Sequence, residues 1–234
     1  MVQQQNVWQA LWQRIEKSAV NCGRNVDEIH LLAVSKCFSA ERIRHIHAFG
    51  QRRFGENYVQ EAQKKREELA NLPEIYWVLI GSLQKNKARL AAEVFDAVES
   101  VDDLALAERL AAARHPDRSP MEILIQVNIS GEAQKNGVAW DQAVPLAHEI
   151  ARLPRLRWRG FMGIAEETSD VTRQRQQFAR LRECLSRARA EGLNAEMLSM
   201  GMSGDLEAAI CEGSTEVRIG SALFGARHMA SYGE

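Results

Sequence analysis

The chain has 234 residues, with 30 Lys and Arg against 31 Asp and Glu, a formal net charge of −1, and 45% hydrophobic but only 6% aromatic residues. A chain of this length buries roughly 70–75% of the surface its unfolded form exposes, so no covalent staple is required to hold a core. Balanced charge gives no electrostatic reason to expect nucleic acid or an anionic membrane as partner.

The N-terminus, Met1-Val2-Gln3-Gln4-Gln5, lacks the basic start and apolar core of a signal peptide, and no apolar run is long enough to span a bilayer. The cytoplasm is the expected location. Cys22, Cys37, Cys184 and Cys211 form no CxxC pair and no Cys/His ligand spacing, and are expected as reduced thiols. Residues 1–25 are expected to add a helix, around Val7–Ala19 with Trp8, Leu11, Trp12 and Ile15, that packs over one end of the fold.

Strands are then expected at Ile29–Ser35, Arg53–Gly55, Tyr76–Gly81, Val94–Ser100, Ile123–Ile129, Leu156–Ile164, Met197–Gly201 and Glu216–Gly220. Runs such as Leu31-Leu32-Ala33-Val34 and Ile123-Leu124-Ile125-Gln126-Val127 are apolar on successive positions, as in parallel strands covered on both faces.

Amphipathic helices separate them. His45 and His47, two apart, do not face each other and are expected on a helix surface rather than as metal ligands. Lys64-Lys65-Arg66-Glu67-Glu68 has the composition of a solvated helix face. Ser100-Val101-Asp102-Asp103 fits a capping box ahead of an Ala/Leu-rich helix ending near His115-Pro116. From Thr168 to Glu191 an apolar stripe of Val171, Phe178, Leu181, Leu185 and Ala188 leaves the arginines to solvent. His115–Pro120 is a loop, and no linker divides residues 1–234.

Eight strand–helix units in this length point to a single closed (β/α)8 TIM-type barrel with an extra N-terminal helix. An open doubly wound sheet usually starts with a Gly-rich first turn. The first strand here ends in Ser35-Lys36-Cys37.

Function in a barrel collects at the C-terminal ends of the strands. Lys36 ends the first strand, where desolvation disfavours the ammonium and leaves an amine able to attack an aldehyde. The alternative is a lysine that snorkels outward or pairs with Glu56. Met202-Ser203-Gly204-Asp205-Leu206 and Gly220-Ser221-Ala222 each put serine and glycine at a helix start, after strands seven and eight. Such turns cradle phosphate, or simply cap a helix. Asp205 and Glu207 must point outward if a phosphate binds there. Arg218, between Val217 and Ile219, could donate to a heterocyclic nitrogen or bond internal carboxylates and carbonyls.

Several blocks resemble the pyridoxal phosphate homeostasis proteins (the YggS/PROSC family) over nearly the whole chain, in order. They are Ala33–Lys36, Phe54–Glu61, Ile80–Lys87, Leu198–Ile210 and Gly213–Gly225. The resemblance implies the barrel that alanine racemases use as their N-terminal domain, with pyridoxal 5′-phosphate (PLP) held as a Schiff base on Lys36. It implies Arg218 at the pyridine nitrogen, Ser199, Met202, Ser203, Gly220 and Ser221 around the phosphate, and Asn57 lining the cofactor. Val78, Ser82 and Phe38 stand where the family usually has His, Pro and a second lysine.

The resemblance further implies a non-catalytic carrier or regulator of the PLP pool that influences amino-acid and keto-acid balance. A racemase needs a second acid/base group on the opposite face of the cofactor. In alanine racemases a tyrosine of an additional C-terminal domain fills that role, whereas Tyr58, Tyr76 and Tyr232 lie on no such domain and the chain stops at Glu234. The remaining readings are a minimal PLP enzyme, such as a low-activity amino-acid racemase, and a barrel binding another phosphorylated metabolite without a covalent bond. The expected partners are PLP and the enzymes that supply or receive it. The expected state is a monomer.

Overall fold

The computed structural model describes residues 2–132 and 134–225. Helix α1 (Val2–Asn21) leads into β1 (His30–Val34), α2 (Ala40–Ala48), β2 (Arg53–Glu56), α3 (Val59–Glu68), β3 (Tyr76–Leu79), α4 (Ala88–Val94), β4 (Ala97–Val101) and α5 (Leu104–Ala113). The chain continues through β5 (Met121–Val127), α6 (Ala143–Ile150), β6 (Leu156–Gly163), α7 (Val171–Ala190), β7 (Met197–Ser199), α8 (Leu206–Cys211), β8 (Glu216–Ile219) and α9 (Ser221–Phe224). The eight strands pair in parallel in sequence order, and β8 closes on β1 with His30 opposite Glu216 and Ala33 opposite Ile219. This is the (β/α)8 barrel expected.

Strand parity divides the core in two. Leu31, Ala33, Phe54, Leu79, Val98, Ile125, Phe161, Leu198, Val217 and Ile219 pack in one cluster with the surrounding helices. The alternate positions form separate clusters inside the barrel, Leu32 with Val78 and Ala97, and Leu124 with Met162 and Met197. Continuous apolar runs are thus the two-faced signature of a strand with helices outside and a filled barrel inside.

Several local expectations are corrected. The fourth strand begins at Ala97, because Val94 completes α4 and Phe95 caps it. Asp103, not Ser100, caps α5, accepting from Leu106 N at 2.8 Å, while Ser100 is buried in β4 and donates to Gly81 O. Val171 is exposed at the first turn of α7, ahead of the buried stripe from Phe178 to Ala188. His47 is buried, 2.9 Å from Glu74, because the apolar face of α2 carries Ile43, Ile46 and His47 together.

Helix α1 joins the outer ring rather than covering one end of the barrel. It packs on α8, α9 and α2, burying Leu11, Ile15 and Ala19. That contact overturns the expectation of four reduced thiols. Cys22, just past α1, and Cys211, the last residue of α8, form a disulfide with Cα atoms 5.2 Å apart. They are 189 residues apart in sequence, so only the docking of the two helices brings them together. Cys37 and Cys184 are free. No described helix is long and apolar enough to cross a membrane.

Candidate functional site

Lys36 continues the parity of Leu32 and Val34, which puts it with the inward set one step beyond the end of β1. It is half-buried. The residue after it, Cys37, has φ 64°, a left-handed conformation uncommon for a side chain with a Cβ and held only where neighbours enforce it. The neighbours are specific. Cys37 N donates to Glu61 Oε1 at 2.7 Å, and Phe38 stacks on Phe224 with ring centroids 4.8 Å apart. On the other side, Lys65 Nζ donates to Ser35 O at 2.8 Å, to Glu56 Oε1 at 2.7 Å and to Glu61 Oε1 at 2.6 Å.

Lys65 therefore braces the backbone on both sides of Lys36, directly through Ser35 and through Glu61 to Cys37. It also decides a competition left open by the sequence. Glu56, the acid that Lys36 could have paired with, is buried, and its Oε1 accepts from Lys65 Nζ and, at 2.6 Å, from Ser35 Oγ, while Oε2 has no donor among the described residues. Among the described residues Lys36 makes no ion pair or side-chain hydrogen bond. Burial pushes the Glu56 carboxyl up to about 7, against the opposing pull of Lys65. The solvated reading of Lys64–Glu68 fails at Lys65, which is 6% exposed. Its place on the α3 stripe with Val59 and Ala62 is the signal that could have found it.

Strands seven and eight present two adjacent turns. Gly201 has φ 98°, and a Cβ there would sit 2.6 Å from Ala209 Cβ, so only glycine lets the 202–205 turn fold over the start of α8. The amides of Ser203, Gly204, Ser221 and Ala222 have no backbone acceptor among the described residues. The strand-eight turn adjoins β1, with a Cβ on Gly220 falling 3.5 Å from Val34 O. Arg218 N donates to Gly201 O at 2.9 Å, which ties the two turns together.

The acids of this region behave differently from each other. Glu207 points outward and pairs with Arg14 at 2.5 Å. Asp205 does not point outward. It is buried, and its Oδ1 accepts from Met202 N at 2.6 Å, so this amide is already committed inside the turn. Burial pushes the Asp205 carboxyl up, partly offset by that bond. Met202 itself is exposed.

Ser199 and Arg218 lie below the rim, inside the barrel. Arg218 Nη1 donates to Ser199 Oγ and Nη2 to Gly163 O, both at 2.9 Å. Ser199 Oγ donates to Glu99 Oε2 at 2.6 Å. Asn57 is half-buried just past β2, with its carbonyl so close to Gly81 that no side chain fits there. Glu99, Glu216 and Arg53 share this interior and were not anticipated. Their inward parity on β4, β8 and β2 marks them once the strands are aligned, with Glu216 two residues before Arg218.

The three departures from the family pattern have local explanations. Val78 fills the barrel beside Leu32 and Ala97. Ser82 Oγ accepts from Asn136 Nδ2 at 2.7 Å, linking the end of β3 to the connection after β5. Phe38 packs on Phe224.

These groups fit a small molecule with an electrophilic carbonyl and a phosphate. An unpaired, braced amine stands next to a rim of free amides, with a guanidinium anchored in the barrel below.

Residues 8–228 match the family described as "Alanine racemase, N-terminal domain". The chain is 50% identical over 214 residues to a pyridoxal phosphate homeostasis protein of Pseudomonas aeruginosa, covering 92% of this chain and 91% of that one. It is 44% identical over 216 residues to the protein of the same name in Escherichia coli, covering 92% of each. PipY of Synechococcus elongatus, solved with PLP bound, superposes with a TM-score of 0.78 at 36% identity, over 90% of this chain and all of that one. The chain belongs to the pyridoxal phosphate homeostasis proteins, within the alanine racemase N-terminal-domain family.

Proposed function

We propose that this protein binds PLP at the barrel mouth, as a Schiff base on Lys36, and takes part in PLP homeostasis without turning over a substrate. The observation that carries the reading is the amine of Lys36, braced on both sides by the Lys65 network and left without a partner beside two turns rich in free amides. The PLP-bound structure of PipY and the names of the relatives support the same ligand. When bound, PLP supplies an aldehyde that exchanges between amines.

The chain's own residues then divide the work. Ser203, Gly220 and Ser221 frame the phosphate, chiefly through backbone amides, with Met202 beside them in the same turn although its own amide is held by Asp205. Asn57 lines the ring, and Arg218 faces the ring nitrogen with Ser199 behind it. A guanidinium stays protonated in proteins, so it keeps that nitrogen unprotonated and weakens the ring as an electron sink. Tyr58 is exposed on the approach to α3, and Tyr76 donates to Glu122 at 2.8 Å. Neither is offered as a second acid/base group, and Tyr232 lies outside the described residues. The reading is completed by one PLP-binding unit over 1–234, acting as a monomer in the cytoplasm and exchanging cofactor with PLP-dependent apoenzymes or PLP-supplying enzymes.

Borohydride reduction of the PLP-loaded protein, followed by peptide mass analysis, tests the assignment. One pyridoxyl group on Lys36, absent in Lys36→Ala, is the expected result. Labelling at Lys65 or Lys135, or no label in protein supplied with PLP, would overturn it. Loss of α-carbon deuterium from alanine in water would favour the racemase reading over the carrier.

A further inference from the structure

Inside the barrel, below the rim, a single line of side chains runs from Arg218 to Arg53. Arg218 Nη1 donates to Ser199 Oγ at 2.9 Å, and Ser199 donates onward to Glu99 Oε2 at 2.6 Å. At the far end Arg53 Nε donates to Glu216 Oε2 at 2.7 Å, with the guanidinium stacked 4.5 Å from the Tyr76 ring centre. The middle of the line is two carboxyl groups. Glu99 is 1% and Glu216 0% exposed, and Glu99 Oε1 and Glu216 Oε1 have no nitrogen or hydroxyl donor among the described residues. Ser199, which holds Glu99, lies opposite Glu216 in the β7–β8 register, so the two carboxyl groups with their orphaned oxygens share one buried space. Two carboxylates there would repel with nothing donated to either free oxygen, whereas a proton on one of them supplies the missing donor.

We propose that Glu99 is held in the barrel as an uncharged carboxylic acid, donating to Glu216, and that through Ser199 it orients Arg218 toward the cofactor ring. This makes Glu99 a positioning residue, and the inference rests on the PLP reading for the identity of the ring. The direction of donation decides which acid is protonated. Arg53 donates to Glu216 directly and stabilises negative charge there, whereas Glu99 meets Arg218 only through a serine. Burial, then the Glu216 charge, pushes Glu99 well above the usual carboxylate range. For Glu216 burial works in the same direction, but the Arg53 charge and the bond from Glu99 outweigh it and hold the group low. The charged groups facing the pair are Arg53 and Arg218, with Asp205 acting on Arg218 from the strand-seven turn.

With Glu99 neutral, its hydroxyl supplies the donor that Glu216 lacks and the run ends on the single anion, Glu216. Two guanidiniums and one carboxylate leave a net positive charge in the barrel beneath an anionic ligand. Ionising Glu99 would cancel that charge and set two carboxylates against each other in a buried site.

The test has a readout that needs no cofactor. At about pH 8, the infrared spectrum of the unloaded protein minus that of Glu99→Gln should show a carboxylic-acid carbonyl band that moves on 13C-glutamate labelling. In the PLP-loaded protein, Glu99→Ala should weaken PLP binding about tenfold, the loss of one hydrogen bond to a charged group, and shift the pH titration of the cofactor absorbance. Glu99→Gln, which can still accept from Ser199 and donate to Glu216, should restore both to within about twofold of the parent. Should Glu99→Ala fail to fold, Ser199→Ala breaks the same line above the carboxyl pair and should shift the titration while keeping the infrared band. Absence of the band, or a titration unchanged in both alanine variants, overturns the proposal. A missing pyridoxyl on Lys36 would instead sink the functional reading and leave the infrared result standing.

Discussion

The residue that most shapes this site stands behind it. Lys65 is a buried amine whose three acceptors, Ser35 O, Glu56 and Glu61, lie around the backbone of Lys36. Removing it with Lys65→Met leaves the buried Glu56 and the partly buried Glu61 without their cation, a change that costs about 3–5 kcal/mol for buried pairs. Urea unfolding at neutral pH should show a loss of that order, and a stability equal to the parent would mean the network is not formed. Glu56 makes a second, pH-dependent prediction. Its carboxyl is raised from an ordinary 4.5 to about 7 in the fold, so between these values the native state holds a proton that the unfolded chain has released. Stability from this group is therefore present at low pH and lost as pH rises through that window. Replacing it with glutamine should remove about 2 kcal/mol of the fall between pH 5 and 8, read from urea midpoints of parent and variant. An identical slope in Glu56→Gln would show that the group is ionised throughout.

At the scale of elements, strands were far more legible than their surroundings. All eight overlap the segments expected for them, because strands covered on both faces are mostly apolar and that pattern is local. Helix ends and helix docking were less so. The Val94–Phe95 pair extends an apolar run that belongs to α4 rather than to β4, since adjacent buried positions on a helix end and a strand start look alike. The α1–α8 contact has no local signature, and with it comes the Cys22–Cys211 disulfide. Closing so long a loop restricts the unfolded chain, and native disulfides contribute about 2–4 kcal/mol. Oxidised protein should therefore lose that much on addition of dithiothreitol, while Cys22→Ser should be insensitive to it. Equal midpoints with and without reductant would contradict the bond. Disulfides are rare in the cytosol, so alkylating thiols at the moment of lysis gives a direct test of the proposed location.

At the scale of the whole molecule, the barrel combines an apolar outer layer with an interior that is polar along one side. Arg53, Glu99, Ser199, Glu216 and Arg218 fill space that a purely structural barrel gives to Val, Ile and Leu. Enclosing such groups is costly unless they are paired, and the bonds described above give each of them a neighbour in the line from Arg218 to Arg53. The large exposed apolar residues, Val7, Val20, Tyr58, Trp140, Val171 and Met202, are scattered over the helices and connections. That pattern supports the proposed monomer, and sedimentation at the mass of a single chain is the expected result, with a dimer counting against it.

The amino-acid sequence by itself determined the succession of strands and helices, the closed barrel, and the rim positions of Lys36, Ser203, Gly220 and Ser221, because periodicity and turn chemistry are carried by neighbours along the chain. Only the tertiary structure decided that Lys65 takes Glu56 and leaves Lys36 unpaired, that Asp205 turns inward, that Ser199 serves Arg218, and that Cys22 meets Cys211. Each of these joins residues on different strands or helices, and burial, which sets the strength of such contacts, exists only once the barrel has closed.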